Sequence, residues 1–212
     1  MKTRLLILFA FIISVGFLNA QNINFGWVKQ IDNSDQPYLA TDNNGNTFYA
    51  SRINDLVFLG KYATNGDLIW SKNFTRNNAT DGHLYIQDID VDANGNIYLA
   101  GYYQSGSVDL NPGANENYLP APTGTNNTFV VKLNANGDYV WAKSIGSITS
   151  SRDVEAYSLA IDSNSNVLLT GYFEDMVDFN PGAIGGNLTA IVMPEYDYNT
   201  FILKLDKNDP VA

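Results

Sequence analysis

The sequence has 212 residues, with 12 Lys and Arg against 22 Asp and Glu, a formal net charge of −10 and no cysteine. That balance leaves no basic surface to displace the counterions of a nucleic acid or to hold an anionic bilayer. Absence of cysteine excludes disulfides, thiolate metal sites and thiol nucleophiles, so stability has to come from packing and sheet hydrogen bonds.

In chain order, Lys2 and Arg4 precede an apolar run from Leu5 to Leu18, followed by Asn19, Ala20 and Gln21. A charged start, a short apolar middle and a small residue predict a secretory signal peptide over 1–20, cleaved after Ala20. The run is shorter than the roughly 20 residues that span a bilayer. The mature chain is then secreted or held at the cell surface, with no membrane insertion after the signal is removed.

Beyond residue 20 the sequence repeats itself. Trp27-Val-Lys-Gln-Ile, Trp70-Ser-Lys-Asn-Phe and Trp141-Ala-Lys-Ser-Ile share Trp-x-Lys-x-apolar. Asp42-Asn-Asn-Gly-Asn returns as Asp92-Ala-Asn-Gly-Asn and Asp162-Ser-Asn-Ser-Asn; Val108-Asp-Leu-Asn-Pro-Gly returns as Val177-Asp-Phe-Asn-Pro-Gly; and Thr128-Phe-Val-Val-Lys-Leu returns as Thr200-Phe-Ile-Leu-Lys-Leu. Asn-Gly pairs between alternating apolar runs predict tight hairpin turns with two positive-φ residues. The Asp that opens each turn is placed to bond the backbone two residues on. Asn-Pro-Gly reads as a type II turn, with Gly113 and Gly182 at φ > 0. One unit is therefore strand A (84–91), strand B (97–103), a long loop, strand C (128–133) and strand D (139–145).

Two hairpins per unit predict an all-β chain with about three four-stranded antiparallel blades of the β-propeller kind. The segments are a Trp strand at 24–32, copy one at 33–74, copy two at 75–145 and an incomplete copy three at 146–212. Copy one lacks the Val-Asp-x-Asn-Pro-Gly loop: Asn46 to Lys61 spans 15 residues, against 36 for Asn96 to Lys132 and 38 for Asn166 to Lys204. Propellers have about four to eight blades, so three predict an open arc or fragment. Its open faces imply self-association or a C-terminal continuation. Trp27–Ile31 is an orphan strand D that could close the last blade.

Asp-x-x-Gly-Asn-x-Tyr-x-x-Gly-Tyr (Asp92 to Tyr102), the Asn-Pro-Gly loop and Phe-Val-x-Lys-Leu-x-x-x-Gly-Asp-x-x-Trp together resemble the bacterial SBBP-type β-propeller repeats over roughly residues 24–208. The resemblance implies a secreted or surface protein of Bacteroidota type. It implies no activity.

Candidate chemistry centres on Asp88, Asp90 and Asp92, which strand alternation puts on one face of strand A. Clustered hard oxygens suit Ca2+, and Asp88 and Asp90 are the candidate ligand-binding residues; the competing reading is hydrated carboxylates lining a channel. His83, the single histidine, is expected in a loop. Tyr102, Tyr103, Tyr172 and Phe173 could stack on sugars or pack between blades. No catalytic motif, cofactor site or metal site is recognised. The expected function is a non-enzymatic binding or scaffolding module with a glycan or protein ligand. The alternative is part of a secreted hydrolase acting on polysaccharide or peptide.

Overall fold

The computed structural model describes residues 25–53, 56–74, 82–122, 124–147, 152–180, 187–189 and 198–207. The signal-peptide segment lies outside them. The described residues are all-β and contain no helix.

Blade one is a four-stranded antiparallel sheet in sequence order: β1 (Ser34–Thr41), β2 (Thr47–Ile53), β3 (Leu56–Tyr62) and β4 (Leu68–Phe74). Blade two has the same order in β5 (His83–Val91), β6 (Ile97–Gln104), β9 (Asn126–Leu133) and β10 (Tyr139–Ser147), with a small hairpin, β7 (Val108–Asp109) and β8 (Tyr118–Leu119), in its long loop. Blade three has β11 (Val154–Ile161), β12 (Val167–Glu174) and β15 (Tyr198–Leu205), and no strand D among the described residues. Its long loop forms β13 (Met176–Asp178) and β14 (Asn187–Thr189). β13 pairs with the end of β10 through Gly146 and Ser147, so this loop reaches back and adds two strands to blade two.

The strands therefore form where alternation and repeat placed them, as an open array of propeller-like blades. The expected strand at Trp27 does not form: residues 25–31 have no strand pairing, although Trp27 packs on blade one.

The turns differ in kind from the expected ones. Gly45 N–H donates to Asp42 O (3.0 Å) and Asp42 N–H to Asn46 O (3.1 Å), and only Gly45 takes positive φ, at 77°. This is a three-residue loop, a type I turn closed by one left-handed residue, and it recurs at Gly66, Gly95 and Gly137. Ser165 fills the left-handed position in copy three at φ 63°. The opening Asp behaves as expected. Asp92 Oδ1 accepts from the N–H of Asn94 (2.9 Å) and Asn96 (3.0 Å), and Oδ2 accepts from Asn96 Nδ2 (2.8 Å). Burial works against the charge on Asp42 and Asp92, but the hydrogen bonds from Asn46 and Asn96 outweigh it and hold both carboxyls below their usual range. The Asn-Pro-Gly turn of copy two is also corrected, while Gly182 of copy three lies outside the described residues. Gly113 does not take positive φ; instead Asn111 Oδ1 caps Gly113 N–H at 2.8 Å, and Asp109 Oδ1 accepts from Asn111 and Asn117 N–H, both at 2.9 Å.

Strand A carries a bulge in each blade, between Ile86 and Asp88 in β5 and between Ala156 and Ser158 in β11. The bulged backbone bends onto strand B opposite Gly101 and Gly171, where an added Cβ would overlap the carbonyl oxygens of Tyr85 and Glu155. Backbone contact this close explains the Gly in the Gly-Tyr motif. Blade one has Ser51 there, opposite a wider irregularity between Asp35 and Tyr38.

Two cores lie between the blades. Phe48, Ala50 and Leu59 of blade one meet Ile89, Ile97 and Leu99 of blade two. Tyr98, Ala100 and Val130 of blade two meet Leu159, Val167 and Leu169 of blade three. The Val-Asp-x-Asn-Pro-Gly loops plug these junctions: Val108 and Leu110 enter the first, Val177 and Phe179 the second. Each fully buried side chain of this size contributes about 1.5–3 kcal/mol.

Gly101→Ala and Gly171→Ala should each cost about 3 kcal/mol or more, because backbone must move. Gly60→Ala, which meets only the ring edges of Phe58 and Tyr62, should cost about 1 kcal/mol. Urea denaturation of the three variants checks the ranking.

Candidate functional site

The three A strands lie side by side, β5 between β1 and β11. An A strand has one edge paired with strand B and leaves N–H groups on the other, which need partners. Asp88 and Asp90 supply them. Asp88 Oδ2 accepts from Leu159 N–H (2.8 Å) and Ser158 Oγ–H (3.0 Å), and Asp90 Oδ2 accepts from Ile161 N–H (2.7 Å). Their second oxygens accept from the N–H of Ile89 and Val91. The alternation that put both on one face holds, and that face is the seam between blades two and three. Asp92 is withdrawn from them into its turn and accepts from Tyr98 Oη (3.2 Å). No group of three or more His, Asp or Glu side chains among the described residues could hold a metal ion. His83 is the first residue of β5, paired opposite Gln104 in the strand and not in a loop.

The aromatic residues divide by alternation. Tyr103 and Phe173 are core; Tyr103 donates through Oη to Pro120 O at 2.9 Å and lies 2.8 Å from Ser144 Oγ. Tyr102 and Tyr172 are half-buried on the opposite strand face, at the loop end of the blades. There the structure builds a ladder that crosses from blade to blade. Arg52 of blade one lies 4.6 Å from the ring centroid of Tyr85. Tyr85 stacks on Tyr102 at 4.7 Å and 15°. In blade three Tyr157 and Tyr172 are 5.5 Å apart, and Tyr172 meets Tyr198 edge-on at 5.9 Å. A groove of ≈ 530 Å³ between Tyr157, Tyr172, Tyr198 and Glu174 ends the ladder.

Glu155 sits at its centre. It is 9% exposed and accepts from Asn126 Nδ2 at 2.6 Å and from the Tyr172 hydroxyl. Burial, reinforced by the charges of Asp153 and Glu174, raises its carboxyl above the usual range. Burial and the Glu155 charge in turn push Tyr102 up to about 12 and Tyr172 higher. The site is therefore a set of neutral tyrosines around one carboxylate whose ionisation is disfavoured. Sequence reasoning reached Tyr102 and Tyr172. It missed Arg52, which holds the strand B position of Tyr102 and Tyr172, and Tyr85 and Glu155, which share the strand A position opposite it, because residues at equivalent positions do not resemble one another.

Against known proteins, no family model matches the chain. It is similar to an uncharacterized WD repeat-containing protein of Acanthamoeba polyphaga mimivirus, 27% identical over 133 residues, which covers 55% of this chain and 9% of the viral protein. The chain thus spans under a tenth of that relative's length. The likeness and the sheet order together describe a repeat protein of β-propeller type.

Asp88→Ala and Asp90→Ala should each cost about 1–3 kcal/mol by leaving N–H groups of β11 without acceptors, measured by denaturant unfolding. Glu155→Gln keeps the acceptor oxygen and removes the ionisation. A raised carboxyl costs the folded state stability above its folded pKa, and this cost disappears below the unfolded value of 4.5. The variant should therefore melt higher than the parent at pH 7 and converge with it below about pH 4.5, as followed by thermal scans across pH.

Proposed function

We propose that the chain is a secreted or cell-surface, non-enzymatic repeat module that binds a protein ligand through the Arg52–Tyr85–Tyr102–Glu155–Tyr172 ladder. The carrying observation is that all three blades contribute to this row on the loop face, with Arg52 over Tyr85 joining blades one and two and the Glu155 charge acting on Tyr102 across the next junction. Tyr and Arg dominate binding energy at protein interfaces, and both are concentrated here at partial exposure. Similarity to a WD repeat-containing protein supports the repeat architecture that carries the ladder. A protein ligand is favoured over a glycan because sugar stacking needs a free ring face, whereas Tyr85 is covered by Arg52 on one side and Tyr102 on the other. The net charge of −10 favours a ligand with basic residues. The scaffold reading also draws on the carboxylates: Asp42, Asp92, Asp162, Asp109, Asp88 and Asp90 all hold backbone N–H groups.

Peptides selected from a displayed random library on the parent protein should lose about tenfold or more in affinity on Tyr85→Ala and Tyr102→Ala proteins, read by calorimetry. Equal affinity on all three would overturn the site. Tyr102-dependent retention on cellulose, chitin or xylan, with no peptide selected, would favour the glycan reading.

A further inference from the structure

The two outer faces of the array are the halves of a third junction. At each internal junction, the strand B and C residues of one blade meet strand A and B residues of the next: Ala50 and Leu59 against Ile89 and Leu99, then Ala100 and Val130 against Leu159 and Leu169. The repeat puts Thr170 and Ile202 at the first set of positions on blade three, and Leu39 and Tyr49 at the second set on blade one. Ile202 is 87% exposed and Leu39 is 65% exposed. Most exposed large apolar side chains lie on these two faces or on the segment beside them, including Tyr157 and Tyr198 on blade three and Phe25 and Val28 at the N-terminal side.

The N-terminal segment is already in position for such a junction. Trp70 of β4 lies over Gly137 in the next blade's C–D turn, where an added Cβ would come within 3.0 Å of the ring. Trp27 lies over Gly66 of blade one in the same way, at 2.8 Å, with its Nε1 donating to Thr64 O (3.2 Å) and its ring stacked on Tyr62. Trp27 therefore sits where strand D of a preceding blade would put its Trp. Between this segment and the face of blade one is an empty groove of ≈ 360 Å³ lined by Trp27, Val28, Leu39, Thr47, Tyr49 and Tyr62. At the internal junctions the corresponding space is filled by Leu59 and Val130. Blade three offers the matching parts: Ile202 as the projecting side chain, and β15, whose outer edge has no partner strand among the described residues.

We propose that the occupant is a second copy of this chain. Blade three of one copy docks on blade one of the other, and Trp27–Ile31 adds to the outer edge of the partner's β15 as a strand D. The register follows from the internal blades. Trp70 pairs opposite Lys61 and Trp141 opposite Lys132, so Trp27 pairs opposite the partner's Lys204 and Lys29 opposite the partner's Ile202. Two three-blade arcs joined at two identical interfaces close into a six-blade ring. Six lies within the range of about four to eight blades, and a closed two-fold ring leaves no sticky face. The surface is continuous with the internal junctions, and an exposed apolar side chain projects from each side, Ile202 from blade three and Leu39 from blade one.

The test uses the full chain expressed with its own leader and collected from the secreted fraction. Sedimentation equilibrium should give twice the chain mass. Ile202→Asp should weaken association by about tenfold or more while leaving the circular dichroism of the blades unchanged. In the cysteine-free background, Lys29→Cys combined with Ile202→Cys should oxidise to a covalent two-chain species. A monomer at the highest soluble concentration, association indifferent to Ile202→Asp, a one-chain disulfide or a ladder of covalent multimers would each overturn the closed two-chain ring. A continuing chain or a different protein as the natural occupant would appear as that monomer.

Discussion

Face-to-face packing between blades is the contact on which the rest of this structure depends. A four-stranded sheet of this size has two apolar faces and cannot bury either alone. Blade two buries both, one in each core, and its Tyr98, Tyr103, Ile97, Leu99 and Phe129 are all at most 1% exposed. Blades one and three bury one face each. Sheet register, the bulges in strand A and the long loops all act on how these faces meet. The Gly101 and Gly171 positions let the bulged strand A lie close on strand B, and the Val-Asp-x-Asn-Pro-Gly loops fill the end of each junction.

Polar groups follow the same logic. Acids recur in this chain because turns and seams recur. Asp42, Asp92 and Asp162 each satisfy the N–H groups of one hairpin turn, and a strand C lysine reaches two of them, Lys61 to Asp42 at 3.3 Å and Lys204 to Asp162 at 2.9 Å. Asp88 and Asp90 break the repeat, and their work is specific to one seam: they bond the exposed edge of β11. Asn126, Thr128 and Glu155 bond across the same seam, with Thr128 Oγ1 donating to Val154 O at 3.0 Å. Blades two and three are thus held by hydrogen bonds as well as by their core. At the A strands of blades one and two, Tyr38 Oη donates to Gln87 Oε1 at 3.1 Å.

The tyrosine ladder is a by-product of this architecture. Strand A and strand B pairs at the loop end, Asp35 with Arg52, Tyr85 with Tyr102, and Glu155 with Tyr172, fall in register within each blade. Stacking the blades brings the pairs into a row. Because the row sits at the end of the junctions, it is fixed by the cores beneath it. Preorganisation of this kind lowers the entropy lost when a ligand binds.

The sequence by itself determined the principal strands of the blades, their order within a blade, the unequal copies and the role of each turn-opening aspartate, but not the unpaired Trp27 segment or the short strands of the long loops. The features it determined depend on alternation and on contacts a few residues apart, so they are written locally. It also put Asp88 and Asp90 on one face, and grouped Tyr102 with Tyr172. Only the tertiary structure decided what that face meets, because Asp88 and Leu159 are 71 residues apart in sequence and adjacent only once two blades pack. The same holds for the loop of copy three, which pairs with blade two. It holds above all for the ladder: Arg52, Tyr85 and Glu155 share no motif, and what unites them is their height in a stack that the sequence does not spell.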